Sequence, residues 1–206
     1  MIEDSIAEHN RLFQEALAIV DGQIPLRSLT VLPQPDSLLA TKLNEAVVLF
    51  ERAIKINPDN WSAMWFIGKV YQRFGDMNEA LRWFERSYQI NPSHADIARE
   101  VSICAMGIGR RDTAITFAYR ATQIESTNPG LQANLALAYL TSGRISDARI
   151  AIERALAGDP RDVISQNIRA MVEHFAITRN VPPATIPGLL SYWASASPKR
   201  RRLGHC

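Results

Sequence analysis

The sequence predicts an all-α protein: a solenoid of about four helix hairpins with a C-terminal capping helix. Three observations carry that reading. Gly75, Gly109 and Gly143 stand 34 residues apart, and so do Ala46, Ala80, Ala114 and Ala148. Pro58 and Pro92 keep the same spacing, and Pro160 lies two periods beyond Pro92 with Ser126 between them. Three residue types sharing one period mark an internal repeat of small stacked units rather than a coincidence.

Taken in order, residues 3–20 read as an amphipathic helix carrying Ile6, Phe13, Leu17 and Val20, with Ser5 and Glu8 as its capping box. It opens a degenerate repeat that occupies residues 1–60. The expected tight turn is replaced by a long loop, residues 21–35, containing Pro25, Pro33 and Pro35. Its apolar residues Ile24, Leu26, Leu29, Val31 and Leu32 predict a strap over the end of the stack, with a lid or docking segment as the alternative. The second half of this repeat holds Ala46, Phe50, Ala53 and Pro58.

The clearest unit is 61–94. Asn60 is placed to cap its first helix, which carries Met64, Ile67, Gly68 and Tyr71 at helical spacing. Gly75 suits a left-handed exit from that helix. Asn78 is expected to cap the second helix, whose stripe is Ala80, Phe84, Ser87 and Tyr88 and which Pro92 stops. Gly68 and Ala80 mark the close crossing of the pair, and Phe84 is expected to fill the space toward the next unit. Unit 95–128 follows with Ala98, Val101, Ser102, Ala105, Ala114, Ala118 and Ser126. Unit 129–162 has Gln132, Leu135, Ala136, Tyr139, Ala148, Ile152, Ala155 and Pro160.

These residues resemble the tetratricopeptide repeat (TPR) family, whose pattern sets Trp, Leu-Gly, Tyr, Ala, Phe and Pro at fixed offsets over about 34 residues. In the first unit the aromatic is shifted, since Trp65 comes one residue after Met64. The resemblance covers about residues 37–178. It implies a right-handed superhelix with a concave face lined by the first helix of each pair.

The end of the chain departs from the pattern. Residues 163–180 read as a capping helix, with Ile164, Ile168, Met171, Val172 and Phe175 on one side and Ser165, Gln166, Arg169 and Glu173 on the other. Residues 181–206 form a Pro-containing segment and a basic tail. Thr185 to Ala194, with Leu189, Leu190, Tyr192 and Trp193, predicts a short docked helix capped by Thr185, and disorder is expected from Ser195 onward.

Composition excludes several classes. There are 23 basic and 21 acidic residues, and without Lys199, Arg200, Arg201 and Arg202 the balance is 19 against 21, net −2, so the body is not a basic nucleic-acid binder. That run is read as a solvating end, with a nuclear-import signal or a contact with RNA or anionic lipid as alternatives. No apolar run has the length of a membrane span. Cys104 and Cys206 build no disulfide framework, and the acidic start lacks a secretory pattern, so a cytoplasmic location is expected. Gly107-Ile108-Gly109 lacks the third glycine and the preceding strand of a dinucleotide loop, and His9, His94, His174 and His205 share no ligand spacing. Neither an enzyme, a cofactor, a metal nor a small-molecule substrate is expected.

What remains is a surface. The resemblance places Trp65, Lys69, Gln72, Arg73 and Arg99 at a cationic and aromatic end of the concave face, and Ile103, Met106, Leu137, Leu140 and Met171 at an apolar end. The expected function is a non-catalytic scaffold or adaptor that binds a partner peptide or helix with an acidic end and an apolar body. Alternatives are a structural subunit docking by its ends or convex side, a homo-oligomer, or a small chaperone holding an apolar client. Leu137, Leu140 and Met171 also fit plain repeat core, and residues 185–194 are a candidate occupant of the groove. Some TPR proteins grip acidic C-termini with a carboxylate clamp. In that frame this chain offers Trp65, Lys69, Glu100, Gly130 and Asn134, none of which matches, so that function is not expected.

Overall fold

The computed structural model describes residues 2–24 and 33–196. Among them are ten α-helices and no strand: α1 Ile2–Val20, α2 Ser37–Ile56, α3 Trp61–Phe74, α4 Met77–Ile90, α5 Ala95–Gly107, α6 Arg111–Ile124, α7 Pro129–Thr141, α8 Ile145–Gly158, α9 Val163–Thr178 and α10 Ile186–Ala196. The chain divides into two compact units, Met1–Ile97 and Ala98–Cys206.

In the first unit α1 pairs with α2 and α3 with α4, and α2 lies beside α3. Its core runs through Leu12, Ala16, Leu43, Ala46, Phe50, Ala53, Ala63 and Ile67. Phe50 stacks on Phe66 with ring centroids 5.5 Å apart, and Phe13 meets both edge-on. Ile6 is exposed, although the sequence stripe of α1 includes it. The capping box expected from Ser5 and Glu8 does not form: α1 starts at Ile2, ahead of Ser5, and Glu8 pairs with Arg11 instead. Within the loop Ile24 is buried, while Leu26, Leu29, Val31 and Leu32 lie outside the described residues.

Gly68 has a steric reason. A Cβ there would lie 2.7 Å from the ring of Phe84, which is fully buried across the hairpin. Phe84 therefore fills the space over Gly68 inside its own hairpin. Asn60 caps α3 by accepting from the Ala63 N–H at 2.9 Å, as its position predicts. For α4 the cap is Asp76, accepting from the Glu79 N–H, rather than Asn78. The helix starts earlier than expected because the Gly75 turn is immediately followed by a residue that can accept.

In the second unit α7 packs on α8 and beside α6, while α9 packs on α8 and beside α7. The Ser102 hydroxyl donates to the Ala114 carbonyl at 2.9 Å and ties α5 to α6. One turn geometry recurs at each repeat. Gly75, Gly109 and Gly143 all have φ between 77° and 81°. The following residue returns its N–H to the carbonyl five back: Asp76 to Tyr71, Arg110 to Ala105 and Arg144 to Tyr139, at 2.8–3.0 Å. This closes the helix end through a left-handed residue that glycine adopts without a Cβ penalty.

The stripe of α9 holds at Ile168, Met171, Val172 and Phe175, which are buried, and fails in the first turn. Ile164 is exposed and Ser165 is buried, because the Asp162 carboxylate caps the helix by accepting from the Ile164 and Ser165 N–H groups and from the Ser165 hydroxyl. Thr185 starts α10 as predicted, with its hydroxyl accepting from the Gly188 N–H. The helix runs through Ala196, past the residue where order was expected to end.

Candidate functional site

The first helix of each hairpin carries the residues that the sequence marks for a partner. In the first unit these are Trp65, Lys69, Gln72 and Arg73, all on α3. Trp65, Gln72 and Arg73 are half-buried and Lys69 is buried, with its ammonium 5.7 Å from the centre of the Trp65 ring. The indole also meets Phe66 and Phe84 edge-on, and its Nε1–H is buried without an acceptor. Arg73 is engaged locally: its guanidinium donates to the backbone carbonyls of Gln23 and Pro33, near the two ends of the long loop. It therefore fastens the two ends of that loop to the end of α3.

In the second unit Arg99 pairs with Glu100 at 3.0 Å, and both side chains are largely shielded from water. Asn134 on α7 donates to the Ser102 hydroxyl at 3.3 Å, while its buried Oδ1 has no donor. Ile103, Met106, Leu137, Leu140 and Met171 come together in one apolar cluster. Met106 is 1% exposed, Leu137 and Met171 5%, and Leu140 0%. α3 has six buried and eight half-buried residues, whereas nine of the residues of α7 are buried. Of the thirteen residues of α7, only Gly130 is exposed.

The cover is α10. Leu189 is fully buried within the cluster that holds Met106, Leu137, Leu140, Met171 and Phe175, and Ile186, Tyr192 and Trp193 pack against it. His174 on α9 organises the contact. Its Nε2 lies 3.0 Å from the Tyr192 hydroxyl, and its ring meets Phe175, Tyr192 and Trp193. The Asn180 amide donates to the same hydroxyl at 3.2 Å. Ahead of the helix, Ala184 and Thr185 pass over the Gly109 turn, where a Cβ would sit 3.5 Å from the Thr185 methyl.

The sequence gives His174 no ligand spacing, and the contact with Tyr192 shows what the ring does. The covered face did leave a sequence signal. From Leu131 to Leu140 the helix is apolar nearly all round, the pattern of a helix buried on every side. The basic run Lys199, Arg200, Arg201 and Arg202 lies outside the described residues. Among the described residues no three His, Cys, Asp or Glu side chains gather as a metal site, and no helix is long and apolar enough to cross a membrane.

Two tetratricopeptide repeat profiles match the chain, over residues 40–95 and 105–172. No curated protein sequence matches it. Among solved structures, MamA superposes with a TM-score of 0.65 at 15% identity, covering 96% of this chain and 98% of its own. YrrB, a TPR protein with an unusual peptide-binding site, gives 0.60 at 15% identity, covering 78% of this chain and 81% of its own. The first TPR domain of Spaghetti (RPAP3), bound to the HSP90 peptide SRMEEVD, gives 0.54 at 13% identity over 57% of this chain and 93% of its own. At such identities the likeness establishes the fold, the all-α helix-hairpin solenoid.

Proposed function

Since the chain belongs to the tetratricopeptide repeat family, we propose that it is a protein-interaction module, a scaffold or adaptor that receives a partner peptide or helix on the first helices of its hairpins. The observation that carries this reading is α10. In the second unit an apolar helix is seated on α9 and on the cluster built from α5, α7 and α9, so these side chains form a surface that accepts a helix.

The apolar body expected of the partner fits that surface. The acidic end has narrower support: on α3, in the first unit, Lys69 lies beside the half-buried Trp65 ring but is itself buried. Arg73 holds loop carbonyls and Arg99 holds Glu100, so neither is offered to a partner without giving up a present bond. Binding of peptides by YrrB and RPAP3 supports the class of function and says nothing of the sequence bound here.

One observation favours a second reading, a subunit that docks by its end. Val163, Ile164, Ile177 and Val181, on α9 and just after it, are at least half exposed. The test is affinity capture from native lysate with wild type beside Trp65→Ala and Val163→Asp/Ile177→Asp, each checked by circular dichroism. A partner lost with Trp65→Ala supports the groove. One lost only with the α9 pair places docking at the end.

A further inference from the structure

We propose that α10 is an exchangeable ligand of the second unit: it occupies in cis a site that takes, in trans, a partner helix presenting Leu, Tyr and Trp at the i, i+3 and i+4 spacing of Leu189, Tyr192 and Trp193. This rests on the interaction reading above and adds to it the chemistry of the ligand and the means of control.

Three features separate α10 from the helices that build the fold. Its anchorage is narrow. Leu189 is its one buried residue, Tyr192 and Trp193 are half-buried, and Pro187, Leu190, Ser191, Ala194 and Ser195 are exposed. Each other helix of this unit instead buries four or more side chains. Among the described residues its polar hold on the rest of the unit is the Tyr192 hydroxyl, shared by His174 and Asn180. Finally, its eleven residues include Pro187 and Gly188, and a helix this short has little stability in water without a surface to dock on. Helicity of α10 and occupancy of the site are therefore one event.

The site beneath is built differently. Met106, Leu137, Leu140, Met171 and Phe175 come from three helices that are fixed by their own packing, so the surface remains when α10 leaves. It would then be an exposed apolar face open to a partner. The linker after α9, Arg179 to Thr185, tethers α10 beside its site at an effective concentration on the order of millimolar. A partner helix must outcompete that tether, so the cis segment sets a threshold for binding.

The probe is a fluorescein-labelled peptide of residues 182–196. Its affinity is measured for the full chain and for an opened full chain, Leu189→Asp with Trp193→Ala, by fluorescence anisotropy. The opened chain binds saturably and the wild type at least about tenfold more weakly, since its own α10 competes. A peptide carrying Leu189→Asp does not bind. Where the opened chain aggregates, a protease site inserted between Asn180 and Val181 keeps every contact side chain, and after cleavage the native α10 exchanges with the labelled peptide. Equal affinity for both chains overturns the proposal. So does absence of binding to a folded opened chain, a cleaved α10 that never exchanges, or a wild-type dimer on light scattering that the opened chain lacks, which makes a second copy the occupant. A partner still captured through Trp65 under any of those outcomes leaves the interaction reading standing.

Discussion

A Cβ at Gly68 and a Cβ at Gly143 fail for different reasons, and the difference is measurable. At Gly68 the obstacle is the buried Phe84 ring at 2.7 Å, so Gly68→Ala overpacks the hairpin and costs about 1–3 kcal/mol by urea unfolding. Phe84→Leu in that background recovers part of the loss. At Gly143 nothing lies within 4 Å, but φ is +78°. Gly143→Ala therefore costs about 1–2 kcal/mol through the backbone alone, and Gly143→Asn, which tolerates this region, restores most of it. Both glycines are visible in the sequence. The reason for Gly68 is not, because only the fold brings Phe84 onto it.

At the scale of the element, what was legible follows from whether the signal was local. The helix exits at Gly75, Gly109 and Gly143 and the cap at Asn60 depend on neighbours in sequence, and the structure has them as predicted. The α4 cap was misplaced because Asp76 and Asn78 offer equivalent acceptors and only the length of the turn decides between them. The stripe of α9 is met from Ile168 to Phe175, but its first turn departs because Ser165 is buried through its bond to Asp162, a polar interaction that an apolar pattern does not reveal.

That cap also predicts a pH dependence. The Asp162 carboxyl is held below the ordinary aspartate range chiefly by the Ser165 hydroxyl. Burial opposes this, and the Ser165 and Ile164 N–H groups add to it. The folded state therefore binds the proton less readily than the unfolded one. The stabilisation is complete above the unfolded value, about 3.9, and is lost as pH falls through the lower folded value. Asp162→Asn keeps an acceptor without titrating. The urea midpoint of wild type relative to Asp162→Asn is accordingly constant above about pH 5 and falls below about pH 4. A difference that does not change with pH contradicts the account. Asp162→Ala costs about 1 kcal/mol at neutral pH.

Across the whole molecule, the repeat period was enough to give the fold class, because each hairpin repeats one solution to one packing problem. The candidate site was less legible. Composition marked Met106, Leu137, Leu140 and Met171 as apolar but did not say what faces them, and it marked Arg73 and Arg99 as cationic without showing that loop carbonyls and Glu100 already hold them. Stability in such a stack is close to a sum of repeat and nearest-neighbour terms. Gly68→Ala should therefore raise amide hydrogen exchange in α3 and α4 while leaving α7 to α9 as in wild type. A uniform rise along the chain contradicts that picture.

The central claim is that partners are received by the first helices of the hairpins. Hydrogen-exchange mass spectrometry of the full chain, alone and with a captured partner, tests it most directly. The account predicts new protection on the α3 face around Trp65 in the first unit, or on α5, α7 and α9 in the second, there with faster exchange in α10 where the partner replaces it. Protection confined to α4, α6 and α8, or to the exposed Val163 and Ile177 side of α9 with α10 unchanged, contradicts it.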